Sequence, residues 1–327
     1  MTKSSLATQR QLLHYLRDGC FHSGQVLAEA VGISRTAIAN HIAALQQLGL
    51  DVYKVKGRGY SLAQPLLLLD AAKMLQMRAS NMPDIQVHSI TDSTNSQLMQ
   101  KIQSGSVLKA GSVLVAEAQT SGRGRRGRSW YSPFGASLYF SMYWRLEQGV
   151  AAAMGLSLVV AISVARVLQQ YYNLEATVKW PNDVYIDGKK LCGILVELAG
   201  QAQAECDVII GIGINIQLPD HSGKVIDQQY IDLNGATQQR VDRNSLVVQL
   251  QQQLIEQLNI FSQEGFSPFV AEFNRYNHYQ HKKVKLTGSQ NISGICLGVD
   301  ERGAILLETT EGKKPYFGGE LSLRAGD

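Results

Sequence analysis

The sequence has few of the residues that mark secreted or metal-binding proteins. Only four cysteines occur in 327 residues, and Cys20, Cys192, Cys206 and Cys296 are scattered without a Cys-x-x-Cys spacing. This pattern predicts reduced thiols and argues against a zinc site. The N-terminal segment also lacks the apolar core of a signal peptide. We therefore expect a cytoplasmic protein.

Long apolar runs are also missing. The most apolar stretch, Ala151 to Ala165, contains a glycine and two serines and meets Arg166 at once. It is shorter than the about 20 residues that a membrane-spanning helix needs. The stretch therefore predicts a buried core helix and no membrane partner. The length allows two or three domains.

Charge is distributed unevenly along the chain. The whole protein carries a net charge of +4, and residues 1–63 hold seven lysines and arginines against three acids, which is also +4. The remaining residues are therefore balanced. A basic first domain favours a nucleic-acid-binding face at that end.

The first 63 residues have the pattern of a winged helix-turn-helix. Ser23 and Ser34 are placed to cap two helices that are joined at a turn containing Gly32. After Gly49 the residues alternate around a Gly-Arg-Gly turn, which predicts a basic hairpin. The alternative is a three-helix packing module without DNA binding. The residues predicted to bind DNA are Ser34, Arg35, Thr36, Asn40, His41, Lys54, Lys56 and Arg58.

The rest of the chain predicts an α+β fold with a mixed sheet. Strands often follow one another directly, which disfavours a doubly wound sheet. From Lys283 onward, short strands separated by glycines predict a small β-barrel. The predicted strands lie at 85–90, 112–117, 137–144, 176–180, 184–186, 191–198 and 206–216, and the predicted helices at 94–104, 150–170 and 245–264.

The segment Gly122 to Arg128, here called the arginine loop, holds three glycines and four arginines and no acid. Glycine lets backbone approach a ligand closely, and arginine donates forked hydrogen bonds to phosphates and carboxylates. The loop therefore predicts an anion site for a polyphosphate or an adenylate. A solvated basic loop or a nucleic-acid patch is the alternative.

The same loop also matches Gly-x-Gly-x-x-Gly, and Glu147 lies where the dinucleotide motif has an acid. That motif must open a helix after a strand. Pro133 and Gly135 interrupt the chain here, and a strand follows. We therefore interpret the loop as a connection between strands.

Five motifs in one order carry a resemblance to a known family. They are Asp92–Asn95, Gly122–Trp130, Lys179–Asp183, Lys190–Leu195 and Gly211–Asn215. The series resembles that of biotin protein ligases. With the winged helix in front, the chain from about residue 10 onward resembles the bifunctional biotin ligases that also repress the biotin operon.

The resemblance implies three domains. They are a winged helix-turn-helix DNA-binding domain (1–63), a mixed-sheet catalytic domain of the class II synthetase-like kind (65–275) and an SH3-like C-terminal barrel (280–327).

It also implies roles for particular residues. The expected catalytic residues are Lys190, Arg125 and Asp183. The expected biotin-binding residues are Ser93, Thr94, Asn95, Gln119, Gly122, Arg123, Gly124, Arg125, Lys190 and Gly193. The expected ATP and adenylate residues are Arg125, Arg126, Arg128, Trp130, Asn182, Asn215 and Tyr230.

The implied reaction consumes biotin and MgATP and forms biotinoyl-5′-AMP. The biotinoyl group then passes to a lysine of the biotin carboxyl carrier protein of acetyl-CoA carboxylase. As the adenylate-bound homodimer, the protein is expected to bind the biotin operator. No dedicated metal site is expected, since Mg²⁺ comes with ATP and Asp183 is a candidate ligand.

Two residues depart from the family pattern, and two other functions stay open. Ser129 stands where many relatives have a lysine or another polar residue before the tryptophan, and Tyr230 stands where the nearest have a tryptophan. The alternatives are a lipoate or octanoate ligase on the same scaffold and a ligand-sensing repressor without enzymatic activity.

Overall fold

The computed structural model describes residues 3–147, 153–200, 205–288, 291–318 and 322–326. The helices in these ranges are α1 (Lys3–Leu16), α2 (Gly24–Val31), α3 (Arg35–Gln47), α4 (Ala71–Met77), α5 (Thr94–Gln103), α6 (Leu156–Tyr172), α7 (Leu233–Thr237), α8 (Arg243–Glu264) and α9 (Val270–Tyr276). The strands are β1 (Val52–Val55), β2 (Gly59–Leu62), β3 (Ile85–Thr91), β4 (Val113–Gln119), β5 (Ser137–Leu146), β6 (Thr177–Lys179), β7 (Asp183–Ile186), β8 (Lys189–Gly200), β9 (Cys206–Asn215), β10 (Lys283–Thr287), β11 (Ile292–Val299), β12 (Ile305–Thr309), β13 (Gly312–Tyr316) and β14 (Ser322–Ala325).

The N-terminal part is a winged helix-turn-helix, as predicted. The Ser23 hydroxyl accepts from the Val26 N–H and caps α2, and Ser34 caps α3 in the same way. Strands β1 and β2 pair antiparallel to form the wing. Gly59 is needed here, because a Cβ at this position would lie 2.0 Å from the carbonyl oxygen of His22.

The central domain is built on a seven-stranded sheet in the order β3-β4-β5-β9-β8-β7-β6. The pair β3–β4 is parallel, whereas the other neighbouring strands are antiparallel. The mixed sheet confirms the α+β prediction.

Alternation along the strands gives this sheet two different faces. Helices α6 and α8 cover one face, where Ile210, Ile212 and their neighbours form the main core. Helix α5 packs on the other face, with Ile209. Gly211 and Gly213 therefore lie on the α5 face, and this face carries the site described below.

A buried ion pair anchors the segment between the first two domains. The Arg243 guanidinium lies 2.6 Å from the Glu117 carboxylate, and both side chains are almost fully buried. Glu117 also accepts from the Leu69 N–H, and Arg243 donates to the Leu67 carbonyl. Breaking one partner of such a pair leaves an uncompensated buried charge, so this network holds the connecting segment firmly on the sheet.

The C-terminal strands form an antiparallel sheet in the order β13-β12-β11-β10-β14. In the described part of this domain the sheet does not close, so the predicted barrel is observed as an open five-stranded sheet. The Trp180 indole N–H donates to the Gly303 carbonyl and joins this sheet to the central domain.

The predicted elements of the central domain are present, with shifted ends. The apolar stretch from Ala151 forms α6 from Leu156 onward, while residues 151 and 152 lie outside the described residues. Among the described helices, none is long and apolar enough to cross a membrane.

Candidate functional site

One large cavity of about 840 Å³ opens on the α5 face of the central sheet. Each residue that the sequence predicted for biotin, ATP or catalysis lines this cavity. They are Ser93, Thr94, Asn95, Gln119, Gly122, Arg123, Gly124, Arg125, Arg126, Arg128, Trp130, Asn182, Asp183, Lys190, Gly193, Asn215 and Tyr230. Residues that are far apart in the sequence are therefore brought to one site.

One part of the cavity is a polar pocket, here called the head pocket, formed by Ser93, Thr94, Asn95 and Gln119. Ser93 caps α5, so the first three of these residues lie at a helix start, and they are buried. Both the N–H and the hydroxyl of Thr94 lie within hydrogen-bond distance of the Gln119 Oε1, at 2.8 and 3.2 Å. The pocket is therefore ordered by its own hydrogen bonds.

Asn95 is fixed from several sides. Its Nδ2 donates to the Glu197 carboxylate at 2.8 Å and to the Leu195 carbonyl at 3.2 Å, and its Oδ1 accepts from Ser141 at 2.6 Å. A Cβ on Gly211 would lie 2.5 Å from the same Oδ1. Glycine at 211 is therefore required by the close approach of this amide.

The arginine loop projects over the cavity as a closed turn. The Gly124 N–H donates to the Arg128 carbonyl, and the Trp130 N–H donates to the Gly122 carbonyl. Arg126 has a φ of 59°, which is in the left-handed region. A short 3-10 turn stands at 125–127 where a dinucleotide motif would begin a helix, so the interpretation as a connection between strands is confirmed.

Arg125 reaches inward from the loop. Its Nη1 donates to the Asn182 Oδ1 at 3.0 Å, and Asn182 in turn donates to the Ile194 carbonyl. Burial, and then repulsion from Arg126, lower the pKa of the Arg125 guanidinium, while Asp183 acts in the opposite direction. An anion in the cavity would relieve this repulsion.

Trp130 lies on the floor of the cavity. A Cβ on Gly193 or Gly213 would lie 2.8 or 2.5 Å from its indole ring. The Lys190 Nζ lies 5.5 Å from the ring centroid. One face of the indole is therefore covered by the sheet.

Lys190 and Asp183 form an ion pair in the cavity wall, with 2.9 Å between Nζ and Oδ1. Both side chains are about 15% exposed. Asp183 begins β7 and Lys190 lies in β8, and these strands form a hairpin. The pairing brings a cation and a carboxylate together in the cavity wall, where both side chains are mostly buried and their attraction is screened less than in bulk water.

The segment around Tyr230 runs alongside Lys190. The Lys190 N–H donates to the Gln229 carbonyl, and the Ile231 N–H donates to the Lys190 carbonyl. Asn215 donates its Nδ2 to the Ile231 carbonyl at 3.1 Å. The backbone at Tyr230 is therefore held beside that of Lys190, and Tyr230 lines the cavity.

The sequence did not predict three groups of site residues. The N-terminal domain contributes Gln46–Gly49 to the cavity lining, and the Leu48 carbonyl accepts from the Phe134 N–H at 2.8 Å. Ser132 and Ser141 bind head-pocket residues, and Glu197 binds Asn95 and Arg123. None of these residues belongs to a motif, so only the folded chain reveals them.

Most of the residues predicted to bind DNA are exposed on α3 and the wing. Arg35, Thr36 and Asn40 are exposed, whereas His41 is half-buried. Ser34 uses its hydroxyl to cap the helix. Lys54, Lys56 and Arg58 are exposed on the wing. Their side chains are accessible to a phosphate backbone.

Among the described residues, no group of three or more histidine, cysteine, aspartate or glutamate side chains could hold a metal ion. Asp183 and Asp227 are the carboxylates of the cavity lining.

Fold and cavity together define a protein ligase joined to a helix-turn-helix domain. Residues 87–215 match the biotin/lipoate A/B protein ligase family, residues 8–61 match an HTH domain, and residues 282–324 match the biotin protein ligase C terminal domain.

Similarity to characterised proteins extends over nearly the whole chain. The chain is 46% identical to the bifunctional ligase/repressor BirA of Salmonella typhimurium and 44% identical to that of Escherichia coli, with 97% of each chain covered in both comparisons. The chain belongs to the family of bifunctional BirA ligase/repressors. The biotin protein ligase of Aquifex aeolicus in complex with biotin and ATP is similar in structure, with a TM-score of 0.64, 31% identity, and coverage of 74% of this chain and 99% of that one.

Proposed function

We propose that this protein is an ATP-dependent biotin protein ligase that also represses transcription from a biotin operator. One observation carries the ligase proposal. The head pocket, the arginine loop and the Lys190–Asp183 pair line a single cavity. That cavity is large enough for a drug-sized ligand.

Biotin has a ureido ring at one end and a carboxylate at the other. We place the ring in the head pocket, where Ser93, Thr94 and Gln119 supply donors and acceptors in a buried setting. The acyl chain would run past Gly193, and the carboxylate would reach Lys190.

Lys190 would stabilise the transition state of the first step, in which the adenylate is formed. A carboxylate oxygen of biotin attacks the α-phosphorus of ATP, and pyrophosphate leaves with the bonding electron pair. The cation lies beside the charge that develops at the phosphorus, and preorganised charge of this kind supplies much of the rate enhancement in many enzymes. Arg125, Arg126 and Arg128 would bind the phosphates.

In the second step the amine of an acceptor lysine attacks the acyl carbon and AMP leaves. Asp183 would orient Lys190, with which it is paired at 2.9 Å, and help to remove the proton of the amine. Trp130, Asn182, Asn215 and Tyr230 would enclose the adenine.

Mg²⁺ would enter with ATP. Carboxylate and phosphate oxygens are the ligands it prefers, and the cavity lining includes the Asp183 carboxylate, whose Oδ1 is paired with the Lys190 Nζ. This carboxylate suits a shared site in which phosphate oxygens supply most of the ligands.

The acceptor would be the biotin carboxyl carrier protein, as membership of the BirA ligase/repressor family implies. Incubation of the purified protein with biotin, MgATP and a carrier domain should place one biotinoyl group on one carrier lysine. An unmodified carrier, with the adenylate formed, would contradict the transfer step.

The repressor half of the proposal needs an adenylate-dependent dimer. Two winged helices in a homodimer would bind two operator half-sites. The adenylate shifts this equilibrium only if it binds the dimerising form more tightly. Sedimentation and operator-binding titrations test this point. An adenylate-bound protein that stays monomeric at micromolar concentration and binds the operator no more tightly than the apo protein would contradict it.

A further inference from the structure

Glu197 joins the arginine loop to the head pocket. Its Oε2 accepts from the Asn95 Nδ2 at 2.8 Å and from the Arg123 Nη2 at 2.7 Å. The Glu197 side chain is 23% exposed, and that of Arg123 is 43% exposed. One carboxylate oxygen therefore holds two donors that belong to different parts of the site.

Each of these two donors, Asn95 and Arg123, makes further contacts within the site. Asn95 is buried and accepts from the Ser141 hydroxyl, whose oxygen also lies 2.7 Å from the Thr94 hydroxyl oxygen. Arg123 is the second residue of the arginine loop and forms an antiparallel bridge with Ser129, which directly follows the loop. A movement of the loop at Arg123 would therefore be transmitted through Glu197 to Asn95, which shapes the head pocket.

Glu197 itself is not part of the cavity lining. It borders a second groove of about 410 Å³, which it lines together with Leu195 and the loop residues 123–128. The arginine loop therefore borders both cavities, and the Glu197–Arg123 pair fixes one part of it. Arg125, through Asn182, fixes another point.

We propose that Glu197 is a positioning residue that couples occupancy of the head pocket to closure of the arginine loop. Its charge offsets one of the four loop cations, and its geometry keeps the Asn95 amide oriented. This inference rests on the proposed function, since its effects appear in the binding of biotin and of the adenylate.

The test compares Glu197→Gln and Glu197→Ala with the full-length wild type. Glutamine keeps the volume and one acceptor oxygen, so it removes the charge without opening a void. Glu205→Gln is the matched control, because Glu205 pairs with Arg145 at the far end of the β8–β9 hairpin. The readouts are KM for biotin, kcat for pyrophosphate exchange, and the half-life of the bound adenylate.

We expect Glu197→Gln to raise KM for biotin and shorten the adenylate half-life roughly three- to tenfold, with kcat changed less than about twofold. Trypsin should cut the arginine loop of the adenylate-bound variant faster than that of the wild type. Combined with Arg123→Ala, the effect of Glu197→Gln should disappear, because the two side chains act as a unit.

Three results would overturn the inference. They are an unchanged KM and half-life in both Glu197 variants, a loss confined to kcat, or additive effects of Glu197→Gln and Arg123→Ala. A wild-type protein without biotin-dependent exchange would instead refute the proposed function, so the two failures are distinguishable.

Discussion

The head pocket and the arginine loop border the same cavity but are held in opposite ways. The head pocket lies on a helix start and on strands, it is buried, and its polar groups bind one another. The loop is largely exposed, and its arginines repel one another. The first region is therefore complete before a ligand binds, whereas the second needs an anion to complete it.

This difference assigns the recognition of biotin and the retention of the adenylate to different regions of the site. A preorganised pocket loses little entropy when its ligand binds. A loop that closes on a ligand costs ordering entropy but excludes water from the bound intermediate. Biotin selection should thus depend on the head pocket, and adenylate retention on the loop.

The largest effect is expected from replacing Lys190, which lines the same cavity as both regions. Lys190→Met removes the cation at the reacting carboxylate and leaves Asp183 without this partner. Pyrophosphate exchange should fall roughly a hundred- to a thousandfold, which is the scale of losing one preorganised charge contact. Lys189→Met is the control, because Lys189 is exposed next to it in the sequence. Similar losses in both variants would contradict the assigned role.

A smaller effect is expected from a substitution that disrupts only the head pocket. Gly211→Ala places a methyl group against the Asn95 amide, 2.5 Å from its oxygen before relaxation. Overpacking of this kind costs about 1–3 kcal/mol, so KM for biotin should rise roughly ten- to a hundredfold. Gly318→Ala is the control, since a Cβ there meets no atom within 4 Å. An unchanged KM in Gly211→Ala would show that the pocket is not preorganised.

The smallest effect needs no mutation. Exposed charges are screened by salt, whereas buried hydrogen bonds are affected much less. Raising the salt concentration to about 0.5 M should speed adenylate dissociation roughly two- to fivefold and leave biotin binding almost unchanged. Stopped-flow dissociation and equilibrium titration measure the two quantities. If salt changed adenylate dissociation and biotin binding equally, the distinction between the arginine loop and the head pocket would be wrong.

Much of the fold could be predicted from local patterns in the sequence. Ser23 and Ser34 cap helices as predicted because capping depends on residues three positions away. Short helices such as α7 and α9 were not predicted, because they depend on tertiary packing more than on periodicity. The small C-terminal barrel was predicted from strand spacing and from the family resemblance, whereas the observed antiparallel sheet is open in its described part. Strand spacing does not fix which strands pair.

The candidate site was predictable where its chemistry lies in motifs. Lys190, Asp183 and the arginine loop stand in such segments, and the fold brings them together. Glu197 lies in an ordinary strand pattern, and its importance depends on two partners that are 74 and 102 residues away. Contacts of this range leave no local signal in one sequence. The contribution of Gln46–Gly49 to the cavity is hidden for the same reason.

The most direct test of adenylation in this cavity is the exchange of labelled pyrophosphate into ATP by the purified protein, with biotin in one reaction and lipoate in another. We expect exchange with biotin alone, because the head pocket supplies donors and acceptors suited to a ureido ring. Exchange with lipoate instead would assign the cavity to a different acyl group. No exchange with either would contradict adenylation in this cavity and leave a ligand-sensing repressor.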